Sequence, residues 1–378
     1  MSSSPLYTRH HPFYSAVKER YSLTRPGSKK DTQHVVLDLT GSDISYEVGD
    51  CVGILPVNPP EYVEKTLEAF GTKGDQLLTF RQEPEKISFR HLLENYLNLS
   101  SIPKKLIEMI AAHHPQLNEL LDHTHKQELK QFQSEREVWD FLYEHRLPEP
   151  DPQSLVDILQ PLLPRFYSIA SHQPSVGNEI HLTVAHLHYL TLGYNRYGVC
   201  THYLCALAPI NDWSVPLYLQ PHKGFTLTDN PETDIIMIGP GTGIAPYRGF
   251  MQKRVWREDS GRSWLFFGEW HADTEFYYED FWKPLEQEGK LRISTAFSRD
   301  QEHKIYVHHR MLEHADELYR WIENGAVIYV CGDAVHMAKD VEATLLTILT
   351  EKGHMKPANA AEYLKLLRHE KRYLRDVY

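Results

Sequence analysis

The residues best suited to chemistry form a glycine-rich loop directly after an apolar segment. Gly239–Pro246 reads G-P-G-T-G-I-A-P and follows the strand-like run Asp234–Ile238. Glycines let the backbone turn tightly and approach a pyrophosphate, and the amide end of a following helix attracts negative charge. The same residues could make a tight turn without a ligand. The strand before the loop and the helix predicted after it favour a nucleotide site.

Two further segments carry groups suited to a phosphorylated, planar cofactor. In Arg165–Ser168 (R-F-Y-S), the guanidinium of Arg165 offers paired donors to a diphosphate, and the Tyr167 ring can stack on a planar group. In Gly198–Thr201 (G-V-C-T), backbone amides and the Thr201 hydroxyl can bind a pyrophosphate. Taken singly, Arg165 could be a surface cation, Tyr167 a core aromatic residue and Gly198–Thr201 a plain turn.

The composition is that of a globular protein that does not bind nucleic acid. The 378 residues are 41% hydrophobic and 24% charged, and the formal net charge of −11 opposes binding to phosphate backbones. The four cysteines are too scattered for a disulfide framework, and the 23 histidines form no HExxH pattern and pair with no cysteine motif. We therefore expect no metal site. Because no signal peptide or membrane-spanning run is visible, we expect a soluble, cytoplasmic protein.

The segments that must position these residues differ in their hydrophobic pattern along the chain. Hydrophobic residues at helical spacing predict helices from Pro59 to about Pro150. On either side of this zone, alternating or glycine-bounded runs predict strands at His34–Leu39, Gly49–Pro56, Arg165–Ala170, Ile180–Leu187 and Val215–Leu219. The alternation in Ile180–Leu187 predicts an antiparallel strand with one buried face. The simplest account is a β-barrel interrupted by a helical insertion.

From about Thr233 onward, apolar strands alternate with amphipathic helices, as in a doubly wound α/β domain. The predicted strands are Asp234–Ile238, Ser263–Phe267, Leu291–Phe297 and Ala326–Cys331, and the predicted helices are Arg248–Arg257, His308–Trp321 and Ala338–Leu349. The fold class is thus α/β plus a β-barrel. We predict that residues 1–58 and 156–230 form the barrel, residues 59–155 the helical insertion and residues 231–378 the parallel-sheet domain.

These motifs, in this order, resemble those of the ferredoxin–NADP reductase superfamily. Gly239–Pro246 resembles its nicotinamide-binding loop, and Tyr329–Asp333 resembles its second nicotinamide-side motif. Arg165–Ser168 resembles its R-x-Y-S flavin motif, and Gly198–Thr201 resembles its loop at the FAD pyrophosphate. The resemblance implies an antiparallel FAD-binding barrel followed by a doubly wound NADP-binding domain, with FAD and NADP(H) as cofactors.

Within that superfamily, three segments resemble the flavoprotein components of NADPH-dependent sulfite reductases, which are diflavin reductases. These segments are Pro231–Thr233, Ile236–Ile238 and Arg372–Tyr378. The resemblance covers nearly the whole chain, including the helical insertion. The chain begins, however, at the segment that follows the FMN-binding, flavodoxin-like domain of that family, so we expect it to lack this domain.

The resemblance assigns most of the cofactor-binding residues. Ser298 and Arg299 end a predicted strand and, with Lys304, could bind the 2′-phosphate of NADPH, although an ordinary charged cluster is the alternative. Residues expected at FAD are Thr24, Arg165, Phe166, Tyr167, Ser168, Thr183, Val184, Ala185, Tyr189, Gly198, Val199, Cys200, Thr201 and Tyr378. Residues expected at NADP(H) are Gly241, Thr242, Gly243, Ser298, Arg299, Lys304, Tyr306, His308, Cys331 and Asp340.

The resemblance also places four residues at the contact between the nicotinamide and the flavin. Ser168 is expected near the flavin nitrogen that receives hydride, and Cys331 and Asp376 are expected to polarise the nicotinamide. Tyr378 is expected to stack on the flavin and to swing aside when the nicotinamide enters. Without the resemblance, Cys331 would be a small buried residue, Asp376 a solvated carboxylate and Tyr378 a frayed chain end.

The function implied is an FAD-dependent NADPH oxidoreductase that passes electrons to a separate acceptor in sulfite reduction. The acceptor is expected to be a flavodoxin-like carrier or a sulfite reductase haemoprotein that docks near the helical insertion. Two alternatives remain open at this point. The acceptor could be ferredoxin, flavodoxin or another carrier, or the chain could be a non-catalytic assembly subunit. We expect neither nucleic acid nor membrane as a partner.

Overall fold

A computed structural model describes residues 6–378 of the chain. Its strands are β1 (Phe13–Ser22), β2 (Thr32–Asp38), β3 (Cys51–Ile54), β4 (Leu77–Leu78), β5 (Ile87–Ser88), β6 (Arg165–Ser168), β7 (Glu179–Ala185), β8 (His188–Thr191), β9 (Tyr194–Tyr197), β10 (Trp213–Gln220), β11 (Ile235–Ile238), β12 (Ser263–Glu269), β13 (Arg292–Phe297), β14 (Val327–Gly332) and β15 (Tyr373–Val377).

The α-helices are α1 (Pro60–Ala69), α2 (Phe89–Asn95), α3 (Lys104–Ala111), α4 (Leu117–Leu121), α5 (Lys126–Glu135), α6 (Val138–Glu144), α7 (Pro152–Ile158), α8 (Gln173–Val176), α9 (Val199–His202), α10 (Ala245–Arg257), α11 (Ala272–Glu275), α12 (Glu279–Gln287), α13 (Val307–Glu313), α14 (Ala315–Glu323), α15 (Met337–Glu351) and α16 (Pro357–His369). Short 3₁₀ segments at His123–His125 and Gly241–Ile244 and a π-helical segment at Tyr203–Leu207 complete the helices.

The described chain divides into two compact units. Unit 1 contains the residues up to Gly53 together with Phe166–Ala185 and Tyr218–Tyr378, and unit 2 contains Ile54–Arg165 and His186–Leu217. Unit 1 therefore holds both the antiparallel strands β1, β2 and β7 and the parallel strands β11 to β15. The separate barrel and nucleotide-binding domains, with the boundaries expected from the sequence, stay a prediction.

The parallel sheet of unit 1 has the strand order β13-β12-β11-β14-β15, and each neighbouring pair is parallel. The strands predicted at β11 to β14 are confirmed. Apolar side chains of β11, β12 and β14 are buried on both faces. At the edge strand β13, Ala296 is buried, whereas Ile293 and Phe297 are only partly buried. The predicted helix His308–Trp321 is instead two helices, α13 and α14, which are separated at His314 by a non-helical backbone. The predicted fold class is confirmed.

The antiparallel sheet has the order β6-β3-β10-β1-β2-β7. Strand β1, which the sequence did not predict, pairs with β2, and β2 pairs with β7. The prediction that β7 has one solvent-exposed face is wrong, because His181 and Thr183 are only 8% and 4% exposed. The Tyr278 hydroxyl lies 2.6 Å from the Thr183 hydroxyl, and Arg248 Nη1 lies 3.2 Å from His181 Nδ1. Residues of α10 and the segment before α12 thus cover the second face of β7.

Unit 2 is built on a helical core, as predicted. Side chains from α1, α2, α3, α6 and α7 form a single buried apolar cluster. Strands β8 and β9, a hairpin not predicted from the sequence, carry Arg196, which is 1% exposed. Its guanidinium pairs with two buried carboxylates of α6 and the residue before it, at 3.0 Å from Glu137 Oε2 and in close contact with Asp140 Oδ2.

We expect Arg196→Ala to lower the free energy of unfolding of unit 2 by about 3–5 kcal/mol, because it leaves two buried carboxylates without a cation. Urea denaturation followed by circular dichroism measures this loss. The control is Lys104→Ala, which breaks the half-exposed Lys104–Glu108 pair at 3.4 Å and should cost less than about 1 kcal/mol. Equal losses for the two variants would contradict the prediction.

Candidate active site

The glycine-rich loop joins β11 to α10 and packs against the end of β14. A Cβ at Gly243 would lie 2.2 Å from the Cys331 carbonyl oxygen, and one at Gly239 would lie 2.4 Å from the Gly243 carbonyl oxygen. Gly241 has φ +59°, in the left-handed region that favours glycine. The close contacts at Gly239 and Gly243 leave no room for a side chain at either position. The loop therefore brings backbone amides to the carboxyl ends of the parallel strands, where nucleotides bind in this class of fold.

A cleft of about 550 Å³ opens beside this loop. Five of the residues predicted to bind NADP(H) line it, namely Gly241, Ser298, Tyr306, His308 and Asp340. Thr242, Gly243, Arg299, Lys304 and Cys331 are not among its lining residues. Pro240 and Asp333, which belong to the two predicted nicotinamide-side motifs, also line it. The lining further includes residues that the sequence did not single out: Lys30, Gly268, Glu269, Trp270, Ala296, Val307, His336 and Met337. The volume of the cleft fits a ligand as large as a nucleotide.

Two cationic side chains lie against the ring of Trp270, which lines the cleft. The guanidinium of Arg299 lies 3.3 Å from the Trp270 ring centroid, and the Lys30 ammonium lies 4.5 Å from it. Lys30 Nζ also pairs with Glu269 Oε2 at 2.5 Å. Lys30 belongs to the segment between β1 and β2, far away in sequence from β12 and β13. No local pattern could have placed it at this cleft.

Asp376 lies at the centre of a second group of polar side chains. The parallel register of β14 and β15 puts Asp376 opposite Cys331, and Cys331 Sγ lies 3.8 Å from Asp376 Oδ2. The Ser168 hydroxyl donates a hydrogen bond of 2.6 Å to the same oxygen. Burial, and secondarily the negative charge of Asp376, raises the pKa of the Cys331 thiol well above its usual range. The thiol is therefore protonated at neutral pH and faces the carboxylate as a donor. The structure thus brings together three of the four predicted catalytic residues.

Two residues that the sequence did not indicate adjoin this group. Cys51 begins β3, and its Sγ lies 4.0 Å from the Ser168 hydroxyl oxygen. His222 follows β10, and its Nδ1 lies 3.7 Å from Asp376 Oδ1. Burial, with a smaller contribution from Asp376, raises the pKa of Cys51 to about 12. Isolated residues of these types carry no signal in a single sequence, so only the fold could reveal them.

The C-terminal residue Tyr378 is held by its backbone while its ring stays exposed. Its amide donates to the Gly332 carbonyl at 3.1 Å, and its own carbonyl oxygen accepts from the Ala334 amide at 3.0 Å. The hydroxyl lies 2.9 Å from the Thr242 hydroxyl, which joins the chain end to the glycine-rich loop. The residue is 64% exposed. An exposed aromatic ring on a fixed backbone can cover a planar ligand.

The residues of unit 1 predicted at FAD divide into exposed and buried side chains. Phe166 is 52% exposed, which is unusual for a large aromatic ring on a strand, and Ala185 is also exposed. Thr183 and Val184 are buried, so only their backbone atoms could face a cofactor. The Thr24 hydroxyl lies 2.9 Å from that of Ser22. The exposed ring of Phe166 can stack on a planar cofactor such as FAD.

Unit 2 carries the remaining residues predicted at FAD. Arg165 and Tyr189 are exposed, whereas the side chains of Val199 and Cys200 point inward. The Thr201 hydroxyl donates to the Gly198 carbonyl at 3.0 Å and accepts from the Leu187 amide at 3.2 Å. This hydroxyl therefore shapes the loop Gly198–Thr201. An exposed guanidinium, an exposed ring and a glycine turn at the start of α9 fit the diphosphate half of FAD.

Comparison with known proteins identifies the family. A family model described as the FAD binding domain matches residues 6–203, which is more than half of the chain. The chain belongs to the FAD binding domain family. A second model, the oxidoreductase NAD-binding domain, matches residues 237–343 and so includes the glycine-rich loop and β14. The two matches confirm the predicted flavin and nicotinamide-dinucleotide cofactors and the predicted oxidoreductase class.

Curated relatives of this FAD-binding chain are flavoproteins. The chain is 39% identical over 375 residues to the sulfite reductase [NADPH] flavoprotein alpha-component of Bacillus subtilis, covering 98% of this chain and 62% of the relative. It is 39% identical over 382 residues to the protein of the same name from Shewanella oneidensis, covering 100% and 62%. The chain thus spans 62% of the length of these relatives. The predicted resemblance to sulfite reductase flavoproteins is confirmed.

Among the described residues, no helix is both long and apolar enough to cross a membrane.

We expect Gly243→Ala to weaken binding of nicotinamide dinucleotides about tenfold or more, because the new methyl group must displace the Cys331 backbone. Titration of the FAD-loaded chain with NADP⁺ measures the dissociation constant. Gly224→Ala is the control, since a Cβ there meets no atom closer than 3.7 Å and the residue has an ordinary φ. The prediction fails if both variants bind NADP⁺ as the parent chain does.

Proposed function

We propose that this chain takes hydride from NADPH onto FAD and passes the electrons to a separate acceptor protein in sulfite reduction. The observation that carries the proposal is the group formed by Ser168, Cys331 and Asp376, which lies in the same unit as the glycine-rich loop. The bound FAD would supply a two-electron acceptor that can release electrons singly. Everything else in the reaction is positioning and electrostatics, which the side chains of this chain would provide.

The Asp376 carboxylate would perform the electrostatic part. It accepts a hydrogen bond from the Ser168 hydroxyl and lies beside the neutral Cys331 thiol, so these two contacts hold it in place without adding a positive charge. A fixed negative charge favours the positive charge that a nicotinamide ring gains as it loses hydride. The partly buried setting strengthens this effect, because little water is available to screen it. The Tyr378 ring would cover the site, exclude water and swing aside when the nicotinamide enters.

The preference for NADPH would come from the far end of the cleft. Ser298 and Arg299 follow β13, and the Ser298 amide bonds the Glu269 carbonyl at 2.8 Å, which fixes this turn next to the cleft. Arg299 stacks on Trp270, so its guanidinium is already ordered before a phosphate arrives. Lys304 and the unpredicted Lys30 would add positive charge. Tyr306, which is exposed at the cleft, would stack on the adenine ring.

The acceptor is proposed to be a flavodoxin-like carrier or a sulfite reductase haemoprotein that docks near the helices of unit 2. The support is the name of the relatives, sulfite reductase [NADPH] flavoprotein alpha-component. A component of that name works with other components. The group formed by Ser168, Cys331 and Asp376 argues against a non-catalytic assembly subunit, because an assembly role needs no carboxylate held between a hydroxyl and a thiol. The proposed location for this chemistry is the cytoplasm, where NADPH is available.

We expect NADPH to bleach the flavin absorption of the FAD-loaded chain under anaerobic conditions. We also expect Arg299→Ala to raise the KM for NADPH about tenfold or more and the KM for NADH less than about twofold, because only NADPH carries the 2′-phosphate. The measurement is ferricyanide reduction with each nucleotide. The control is Arg292→Ala, which removes another arginine stacked on a tryptophan, 3.8 Å from the Trp264 ring centroid at the start of β13.

The outcomes of this experiment separate the two claims. Flavin that stays oxidised with NADPH would argue against the enzyme and for an assembly subunit. Bleaching with equal changes in both KM values for Arg299→Ala would leave the enzyme in place and refute the assignment of Arg299 to the 2′-phosphate.

A reconstituted assay tests the proposed acceptor. We expect NADPH oxidation by the FAD-loaded chain to proceed faster with a purified flavodoxin or sulfite reductase haemoprotein than with ferricyanide at equal concentration, because a docked partner receives electrons at close range. Ferredoxin is the comparison acceptor. A rate that is highest with ferredoxin would support a general carrier reductase, and equal rates with all acceptors would count against any specific partner.

A further inference from the structure

Three side chains of unit 1 form a cluster of metal-ligand type. Cys51 Sγ, His222 Nδ1 and a carboxylate oxygen of Asp376 lie within 4.8 Å of one another. They come from the start of β3, the segment after β10 and the last strand β15, so only the fold brings them together. The proposed function uses Asp376 and leaves Cys51 and His222 without a role.

The unused atoms of this cluster face one another. Asp376 Oδ2 is the oxygen nearest to the Ser168 hydroxyl and the Cys331 thiol, whereas Oδ1 is the oxygen that faces His222 Nδ1 at 3.7 Å. That separation is too long for a hydrogen bond. His222 Nδ1 is buried and has no hydrogen-bond partner among residues 6–378. Buried nitrogens of this kind nearly always have a partner, so the geometry leaves room for a ligand between the two side chains.

We propose that Cys51, His222 and Asp376 bind a zinc ion, and that the bound ion inhibits hydride transfer. A sulfur, a nitrogen and an oxygen donor together suit Zn²⁺, whereas Mg²⁺ and Ca²⁺ prefer oxygen donors alone. In a tetrahedral zinc site neighbouring donor atoms lie roughly 3.3–3.8 Å apart, given metal–ligand distances of about 2.0–2.3 Å. The 3.7 Å between His222 and Asp376 already has this value. The other separations are at most 4.8 Å, so they need to contract by at most about 1 Å to reach 3.8 Å.

When zinc binds, it replaces the proton of the Cys51 thiol. Zn²⁺ forms a bond to Cys51 Sγ, and the thiol proton leaves to the buffer, while the His222 nitrogen and the Asp376 oxygen donate lone pairs. The fourth position would be taken by water. Because no electron is transferred, the step needs no oxidant or reductant. His222 keeps about a third of its side chain exposed, so the site lies close to solvent.

The inhibitory effect rests on the proposed function. A zinc ion would neutralise the Asp376 carboxylate, which the proposed reaction needs as a negative charge beside the nicotinamide. It would also tie β15 to β3 and thereby restrict the segment that carries Tyr378. Zinc should therefore slow NADPH oxidation at saturating NADPH, and removal of the ion by a chelator should restore the rate.

The experiment is a titration of the FAD-loaded chain with Cd²⁺. This ion binds at zinc sites and gives an ultraviolet absorption band when a thiolate coordinates it. We expect one equivalent to bind with this band, and Zn²⁺ to displace it. Cys51→Ala should abolish the band, and His222→Gln should raise the dissociation constant about tenfold or more. Cys205→Ala is the control, because it removes a buried cysteine of unit 2 and should leave the band and the affinity unchanged.

The outcomes distinguish the site from its effect. An unchanged band in Cys51→Ala would overturn the site, and so would unchanged affinity in His222→Gln when that variant retains its flavin. A bound ion with no effect on NADPH oxidation would overturn the inhibition and leave the site standing. A chain that binds one Cd²⁺ through Cys51 but never oxidises NADPH would refute the proposed function and not the metal site.

Discussion

The parallel pairing of the last strand with β14 is the interaction on which the candidate active site depends. It puts Asp376 opposite Cys331 and fixes Tyr378 through backbone hydrogen bonds to Gly332 and Ala334. The Cys331 carbonyl in turn lies against Gly243, where only a missing side chain allows the approach. One line of backbone contacts thus joins the glycine-rich loop, β14 and the chain end. The side chains that face a ligand are held by the main chain, which is a stiff support for chemistry that requires precise distances.

A buried polar network makes the antiparallel and parallel sheets parts of the same unit. Tyr278 lies within hydrogen-bond distance of both Thr183 and His34, and Arg248 lies beside His181. Burial, reinforced by the nearby Arg248 charge, lowers the pKa of His34 to about 2, so the ring is neutral at physiological pH. Arg248 belongs to the helix after the glycine-rich loop, and its Nη1 also donates to the Ala170 carbonyl at 2.8 Å, two residues after β6. The network therefore links the loop to the segment that carries Ser168. Buried polar groups of this kind are costly unless every partner is present, so they favour one arrangement of the sheets.

Much of the fold could be predicted because local pattern and tertiary environment agree. Continuous apolar runs gave β11 to β14, and Gly239–Pro246 gave the loop, since a strand buried on both faces and a glycine turn both have local signatures. Strands β1 and β15 were missed, because their charged and polar residues do not alternate clearly. Strand β7 was predicted, but the assignment of one solvent-exposed face to it was wrong. Its polar side chains are covered by Tyr278 and Arg248, which come from distant parts of the chain, and a local pattern does not show this cover.

The sequence by itself determined the class of fold, the flavin and nicotinamide cofactors and the family, since these follow from motifs whose residues are adjacent. It also named Ser168, Cys331 and Asp376, but only through resemblance to relatives. The tertiary structure alone decided that these three meet at one carboxylate, that Lys30 and Trp270 border the cleft and that Cys51 and His222 face Asp376. The reason is physical: these contacts join residues far apart in the chain. Their geometry depends on strand register and burial, which no local pattern records.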